Sequence, residues 1–395
     1  MNSKKHKITI IGCGLVGMIL ALRLSNENLP CIILEKNSTN FLMKSQDSRT
    51  TAISQGSSRI LNQLGLWKKI KEKAQPIERI FVSEGINHKG IQFDSNTMNE
   101  GPLGYIVNNK YLKTILFKEI LKSKNIKIYD KTEILNITNN NENVSIETKK
   151  KRFFSSLLIG ADGRYSQTRY FGDLKYYFHD YKQVAYVFNI THEKSHESYA
   201  LERFFPSGPM ALLPMKSKNN RSSSVVWTLE STSKSRFTSN KKFNEEFNKN
   251  YNDFFGKIKT ISKPIAYNLN VFSCYDYFKG KVLLIGDACQ AIHPIAGQGF
   301  NLGIRDANDL GDLLSSYSKL GIDISDPSLL REYSQKRYLD KNLLFQATHY
   351  LNKLFSNKYT VTKVLRNFGL RTFNKSLFLK KQSMLFAMGL TKLDF

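Results

Sequence analysis

Three glycines and one acid carry the first chemical signal in the chain. Gly12, Gly14 and Gly17 make a GxGxxG run directly after an apolar stretch at 7–11, and Glu35 ends a second apolar stretch at 31–34, eighteen residues beyond Gly17. Each position has a task in holding a dinucleotide. Gly12 allows a tight turn, Gly14 lets a pyrophosphate approach the backbone, and Gly17 lets the following helix pack close to the strand. The start of that helix offers N–H groups with no intrahelical partner, which an anion satisfies. An acid at the end of the second strand accepts hydrogen bonds from a ribose. The hexapeptide alone is weak evidence, because glycines recur at turns by chance. Strand, glycines, helix, strand and acid in register are strong evidence.

This run does not separate a flavin dinucleotide from a nicotinamide one, and two later stretches do. Residues 157–163 read as a short buried strand ending in Asp162 and Gly163, followed by Ser166 and Arg169. Residues 282–288 repeat that logic with Gly286 and Asp287, then run through His293, Pro294, Gly297, Gly299, Phe300, Asn301 and Leu302 into a helix. An Asp at a strand end can hold ribityl hydroxyls. The turn rich in Pro and Gly lets N–H groups at a new helix start face a flat ring, where they stabilise negative charge on a reduced flavin. Either stretch alone reads as an ordinary strand-end turn; the three in order point to FAD.

The elements that must position these residues are legible at the N-terminus. A basic start followed by uncharged residues 8–22 imitates a signal peptide, but it falls short of the ~20 apolar residues that span a bilayer and lacks a cleavage site. It reads instead as a buried strand turning into a helix that begins near Leu15. No other stretch is long and apolar enough to cross a membrane. Between 171 and 278 the texture changes to alternation, at 183–190 and 223–229, which predicts strands of a sheet with one covered face. Residues 216–224 read as a solvated loop, and 234–249 as a polar loop leading into a helix. No internal repeat is present.

With 395 residues, 41% of them hydrophobic, and 26 Phe and 19 Tyr, the chain can build two or three domain cores and is not disordered. Its four cysteines, Cys13, Cys31, Cys274 and Cys289, have no CxxC spacing, which argues against a zinc ribbon or dithiol motif and for a reducing, cytoplasmic compartment. No HExxH, nucleophile elbow or metal-ligand cluster is found, so no metal is expected. The 59 Lys and Arg against 33 Asp and Glu leave a net charge of +26. No nucleic-acid module accompanies that excess, and nucleic acid is set aside as a partner. Residues 336–395 hold twelve basic residues, two acids and ten aromatics, among them Phe345, Phe355, Phe368, Phe378 and Phe386. Such a segment suits contact with an anionic membrane surface, at about 1 kcal/mol per basic residue. The alternative, favoured for most of the segment, is that its apolar face packs on the rest of the protein.

The combination of GCGLVG at 12–17 with Glu35, GADGRYSQTR at 160–169 and GDACQAIHPIAGQGFNLGIRDA at 286–307 resembles the class A FAD-dependent aromatic hydroxylases, and within them the ubiquinone-biosynthesis branch. Segments at 49–54, 64–67, 104–110, 203–206, 211–214, 226–227 and 366–370 extend the resemblance over nearly the whole chain. It departs at Cys289 and Gln290, where many members have GDAAH, and at Lys110, which replaces Arg and loses its bidentate fork. The resemblance implies an α/β protein with a discontinuous Rossmann-like FAD-binding domain, at 1–172 and 278–335, with an excursion near 76–103. It also implies an inserted, mostly antiparallel β-sheet substrate domain at 173–277, and a C-terminal helical segment at 336–395.

The same resemblance implies FAD contacts from Gly12, Gly14, Leu15, Val16, Gly17, Glu35, Lys36, Arg49, Lys110, Asp162, Gly163, Gly286, Asp287, Pro294, Gly297, Gly299, Phe300, Asn301 and Leu302. The implied reaction is hydroxylation of a polyprenylated phenol with NAD(P)H and molecular oxygen through a flavin hydroperoxide. Association with other quinone-biosynthesis proteins and a peripheral position on the inner face of the membrane follow from a lipid-borne substrate. His293, beside Pro294, is read as orienting the turn rather than as a general base. A flavin reductase of the same superfamily acting on a prenyl lipid, or a non-catalytic flavoprotein subunit, remain as alternatives.

Overall fold

The computed structural model describes residues 5–44, 47–86, 90–232, 240–251, 253–355 and 376–391. Five parallel strands make the middle of the first sheet, in the order Val282–Leu284, Arg152–Gly160, Lys5–Ile11, Cys31–Leu34 and Ile126–Tyr129. Cys31–Leu34 and Val282–Leu284 are buried at every position, as strands covered on both faces must be. The expected turn into a helix is present, and the helix spans Leu15–Asn26. It buries Met18, Ile19, Leu20 and Leu24 and packs against the helices Gly299–Lys319 and Asn109–Lys122.

The second sheet runs Gln290–Ala291, Ile265–Cys274, Tyr176–His192, Ser222–Glu230, Gly208–Met215, Tyr199–Phe205, Arg79–Glu84, Gly90–Asp94. Ile258–Ile261 pairs with Tyr176–His192 beside this path. Every pairing is antiparallel except that of Tyr199–Phe205 with Arg79–Glu84. One face is covered by the helix Asn240–Tyr251, whose Phe243 and Phe247 meet Phe188 and Trp227 at ring separations of 4.9–5.7 Å. A small third sheet places Gly104–Asn108 between Thr50–Ser54 and Gln75–Ile77.

The helix Pro327–Phe355 runs straight through position 336, so the segment boundary expected there falls inside a helix. No Gly or Pro interrupts 328–355, which leaves nothing to stop the helix at the point where the charge composition changes. Leu329, Leu330 and Tyr333 join the main core, and Leu344 and Phe345 pack with Val271, Ile292 and Leu302. Leu339, Leu343 and Tyr350 are exposed. The helix Leu377–Met388 docks Met384 and Met388 against Met98 and Leu103. The motif residues 366–370 and Phe368 lie outside the described residues. Among those described, no helix is long and apolar enough to cross a membrane, and no group of His, Cys, Asp or Glu could hold a metal ion.

Candidate cofactor site

Register brings the three sequence motifs to one edge. Ile11 pairs with both Gly160 and Leu34, and Gly160 pairs with Leu284. The residues that follow, namely Gly12, Ala161 to Gly163, Glu35, and Gly286 with Asp287, therefore lie side by side at the carboxyl ends of four adjacent parallel strands. Open α/β sheets bind ligands at that edge. A cavity of about 290 Å³ opens there, lined among others by Gly12, Gly14, Glu35, Lys36, Lys113, Asp162 and Gly163. A second cavity of about 380 Å³, between Tyr275 to Phe278 and the Pro327–Phe355 helix, touches none of these residues and is set aside.

The glycines divide into two kinds. A Cβ on Gly12, at φ +102°, would lie 2.6 Å from the Ala161 carbonyl oxygen, and one on Gly17 would overlap the Gly12 carbonyl oxygen. Both are fixed by the fold. A Cβ on Gly14, Gly163 or Gly299 would meet nothing within 4 Å. Gly14 is exposed and caps the Leu15–Asn26 helix with an ordinary extended backbone, so no contact among the described residues requires a glycine there. Val16 joins the two halves of the site: a Cβ on Gly303 would lie 2.5 Å from its side chain, and one on Gly286 3.2 Å.

Each acid has a distinct setting. Glu35 is buried and accepts from the Cys13 amide at 2.8 Å and from the backbone and side chain of Asn37 at 2.8 and 2.9 Å, which fixes the carboxylate beside the glycine turn. Asp162 is committed to the chain, accepting from Ser166 at 2.6 Å and from the Thr168 amide and hydroxyl at 3.0 and 3.1 Å. What Asp162 and Gly163 offer the cavity is therefore backbone. Asp287 has no hydrogen-bond partner among the described residues. It keeps solvent-accessible area, yet the surrounding protein desolvates its carboxyl and raises it above the usual range, helped by Asp306 and opposed by Arg164. Burial pushes the Cys13 thiol up to about 12, so it stays a thiol.

A buried ion cluster supports Asp287. Asp306, fully buried, accepts from the Gly286 amide at 2.9 Å, from Arg337 at 2.8 Å, and sits 3.1 Å from the Lys341 ammonium. Arg337 also reaches Asp309 at 3.0 Å and Asp340 at 2.6 Å. Burial alone would raise the Asp306 carboxyl, but Lys341 and Arg337 hold it below its ordinary value. Sequence reading missed Arg337 and Lys341, which sit in a segment read as a basic surface. Their spacing of four on one helix face was the available signal.

Around the turn at 294–298, Asn301 accepts from the Ser54 amide at 2.9 Å and donates to the carbonyls of Ala52 and Gly297 at 3.1 and 3.3 Å. It ties the turn to the third sheet. Leu302 is buried, while Pro294, Gly299 and Phe300 are partly open at the helix start. His293 is buried with no partner on either ring nitrogen among the described residues, and burial drives its pKa down to about 3, with Arg164 and His349 adding to the shift. Of the expected contacts, Gly12, Gly14, Glu35, Lys36, Asp162 and Gly163 line the cavity, while Leu15, Val16, Gly17, Gly286, Asp287, Pro294, Gly297, Gly299, Phe300, Asn301 and Leu302 do not, and Arg49 and Lys110 are turned elsewhere. Arg49 is exposed and held by Asp47 at 2.7 Å. Lys110 is exposed on the Asn109–Lys122 helix, and Lys113, one turn on, lines the cavity instead.

A family model described as "FAD binding domain" matches residues 5–347. The chain belongs to that FAD-binding family. Ubiquinone hydroxylase UbiL of Rhodospirillum rubrum is 30% identical over 394 residues, 99% of this chain and 91% of the relative. The 3-demethoxyubiquinol 3-hydroxylase of Escherichia coli is 27% identical, over 99% of this chain and all of its own length. Among solved structures, the p-nitrophenol 4-monooxygenase PnpA of Pseudomonas putida superposes with a TM-score of 0.82 at 17% identity, covering 98% of this chain and 99% of that one, a likeness of fold. The cofactor of this flavoprotein is FAD. The residues present fit it: bare backbone at Gly14 open to an anion, a fixed buried acid, Glu35, beside the glycine turn, and an exposed carboxylate, Asp287, that no side chain among the described residues engages.

Proposed function

We propose that this flavoprotein hydroxylates the aromatic ring of a polyprenylated phenol in ubiquinone biosynthesis, with NAD(P)H as electron donor and molecular oxygen as oxygen donor. The observation that carries the reading is full-length similarity to ubiquinone hydroxylases combined with the four strand ends converging on one cradle. Bound FAD supplies the hydride acceptor and the activation of oxygen. The chain supplies position and field. Gly12 and Gly14 would admit the pyrophosphate to the start of the Leu15–Asn26 helix, Glu35 and Lys36 would hold the ribose end, and Asp287 the ribityl hydroxyls. The Gly299–Lys319 helix, capped by Gln298, would offer the N–H groups of its first turn to the ring. A neutral His293 adds no buried cation to that turn.

In this reading residues 1–172 and 278–335 bind FAD, the stretch near 76–103 is lent to the second sheet, and residues 173–277 hold the substrate. The exposed Leu339, Leu343 and Tyr350, on a segment rich in cations, support contact with the anionic inner face of the membrane. Purified protein should carry FAD, and NAD(P)H oxidation should rise on adding a prenylated phenol, with an atom of labelled oxygen gas found in the ring product. Stimulated oxidation without labelled product would assign a reductase, and a protein that binds no flavin would reject the reading.

A further inference from the structure

One row of the second sheet faces the flavin turn and holds a single acid. Val82, Glu202, Ala211, Val226 and Val187 lie opposite one another on five neighbouring strands. All five are half-buried, while their neighbours Leu201, Arg203, Leu212 and Trp227 are fully buried toward the Asn240–Tyr251 helix. Side chains alternate along a strand, so Glu202 points away from that helix. Its strand brackets it over the turn at 294–298. Two residues before it, Ala200 packs with Ala52, against which a Cβ on Gly297 would lie 2.9 Å away; two residues after it, Phe204 packs with Ile295.

Among the described residues no hydrogen bond or ion pair engages the Glu202 carboxylate. Like Asp287, it keeps accessible area in a desolvating surround, which pushes its carboxyl up to about 7. A half-buried carboxylate without a partner in an otherwise apolar row is costly unless a ligand uses it. We propose that Glu202 is a catalytic residue of the hydroxylation, receiving the phenol hydroxyl and taking its proton as the ring is oxygenated. This rests on the function proposed above. A phenol is nucleophilic at its ring, and a phenolate far more so. In the step the phenol O–H bond breaks, a carboxyl O–H forms, and the electron pair left on oxygen is shared into the ring, which bonds to one oxygen of O2 as the O–O bond breaks; the two electrons given by NAD(P)H through FAD, with two protons, carry the other oxygen away as water. The ring C–H proton is then lost to solvent and the Glu202 proton returns to the phenol oxygen.

Of the titratable groups on the elements packed there, Glu230 lies four positions beyond Val226 on its strand, and Tyr181 of the Tyr176–His192 strand meets His293 at a ring separation of 5.1 Å. The Gly208–Met215 strand has none. On Arg79–Glu84, Arg79 lies on the opposite face over Tyr199, at 4.8 Å, and Glu84 lies on this face two positions beyond Val82. His293 precedes the turn, Tyr105 is on the Gly104–Asn108 strand, and Lys353 and His349 precede Phe355 on their helix. The test uses the FAD-loaded full chain and a prenylated phenol with its O-methyl ether. Glu202→Gln should keep FAD and its reduction by NAD(P)H. It should lose tenfold or more in hydroxylation rate, release more hydrogen peroxide, and lose the preference for phenol over ether in equilibrium binding. Wild-type hydroxylation should fall below pH 7, and the variant should lack that limb. Glu202→Gln that hydroxylates, couples and discriminates like wild type would overturn the proposal while leaving the function above intact. So would a wild-type rate that is flat from pH 6 to 8, a result that needs no variant to fold. Wild-type protein that puts no oxygen into the phenol would instead reject the underlying function.

Discussion

Gly14→Ala separates folding from cofactor binding because the added methyl group meets open space in the protein but would occupy the approach proposed for the pyrophosphate. Gly14 is a helix N-cap with φ −76° and ψ 179°, which alanine adopts without strain. Alanine is a poorer N-cap than glycine by about 0.5–1 kcal/mol. Replacing glycine lowers the entropy of the unfolded chain, a gain of about 0.4–1 kcal/mol. The two effects offset, and the stability of the apoprotein should change by no more than ~0.5 kcal/mol on these figures. Losing one charge-assisted N–H to phosphate bond costs about 1.5–3 kcal/mol, roughly 10- to 150-fold in the dissociation constant of FAD. Gly17→Ala should behave oppositely, because its Cβ overlaps the Gly12 carbonyl, and overpacking against backbone costs about 1–3 kcal/mol without any ligand. Urea unfolding of both apoproteins followed by circular dichroism, with FAD titration followed by quenching of flavin fluorescence, reads both numbers. Gly14→Ala that bound FAD as tightly as wild type, or that lost 2 kcal/mol of apoprotein stability (an amount well outside the offset), would refute the reasoning.

Arg337→Met should cost about 3 kcal/mol in urea unfolding, because it removes the cation shared by Asp306, Asp309 and Asp340 and leaves them Lys341, Lys336 and Arg305, and a loss under ~1 kcal/mol would mean the cluster is not an ion network. His293 has a folded pKa below its unfolded value, so its contribution to stability is present above pH 6.5 and is lost as pH falls toward 3. Between pH 7.5 and 5.5 wild type should therefore lose about 1 kcal/mol more than His293→Asn, and equal losses would show that His293 is not buried neutral. Lys113→Ala should weaken FAD binding several-fold and Lys110→Ala leave it unchanged in the same fluorescence titration; the reverse order would place the phosphates on the other side of the Asn109–Lys122 helix.

The cradle was readable from sequence because its determinants are local. Gly12 and Gly286, at φ +102° and +57°, and Gly17, whose Cβ would overlap the Gly12 carbonyl oxygen, answer to requirements of their own turns, and such requirements leave a spaced pattern of glycines. Arg337 and Lys341 were hidden because their partner, Asp306, is some thirty residues away and reached only by tertiary packing, so their charges read as surface. Lys113 was missed for a different reason. Helical phase decides which lysine of 110 and 113 faces the cavity, and the apolar pattern of that helix, with Leu112, Leu116 and Ile120 buried, leaves 113 beside the buried face and 110 outside. Glu202 was invisible because its meaning lies in a row across five strands, and register across a sheet is not written in any one of them.

The cradle's four strand ends come from residues 11, 34, 160 and 284, and its last component, the helix opening at Gly299, comes three-quarters of the way along the chain. During synthesis the Arg152–Gly160 strand must wait, with one edge unpaired, while more than a hundred intervening residues are made, including those that build the second sheet. The ribosome delivers the two GxGxxG-flanking strands early, but a nascent chain cannot close on FAD until Gly303 has emerged and met Val16. Cofactor capture is thus a late checkpoint of biogenesis, and a chain truncated before that point would be released with an open sheet edge, the form that aggregation and proteolysis remove first.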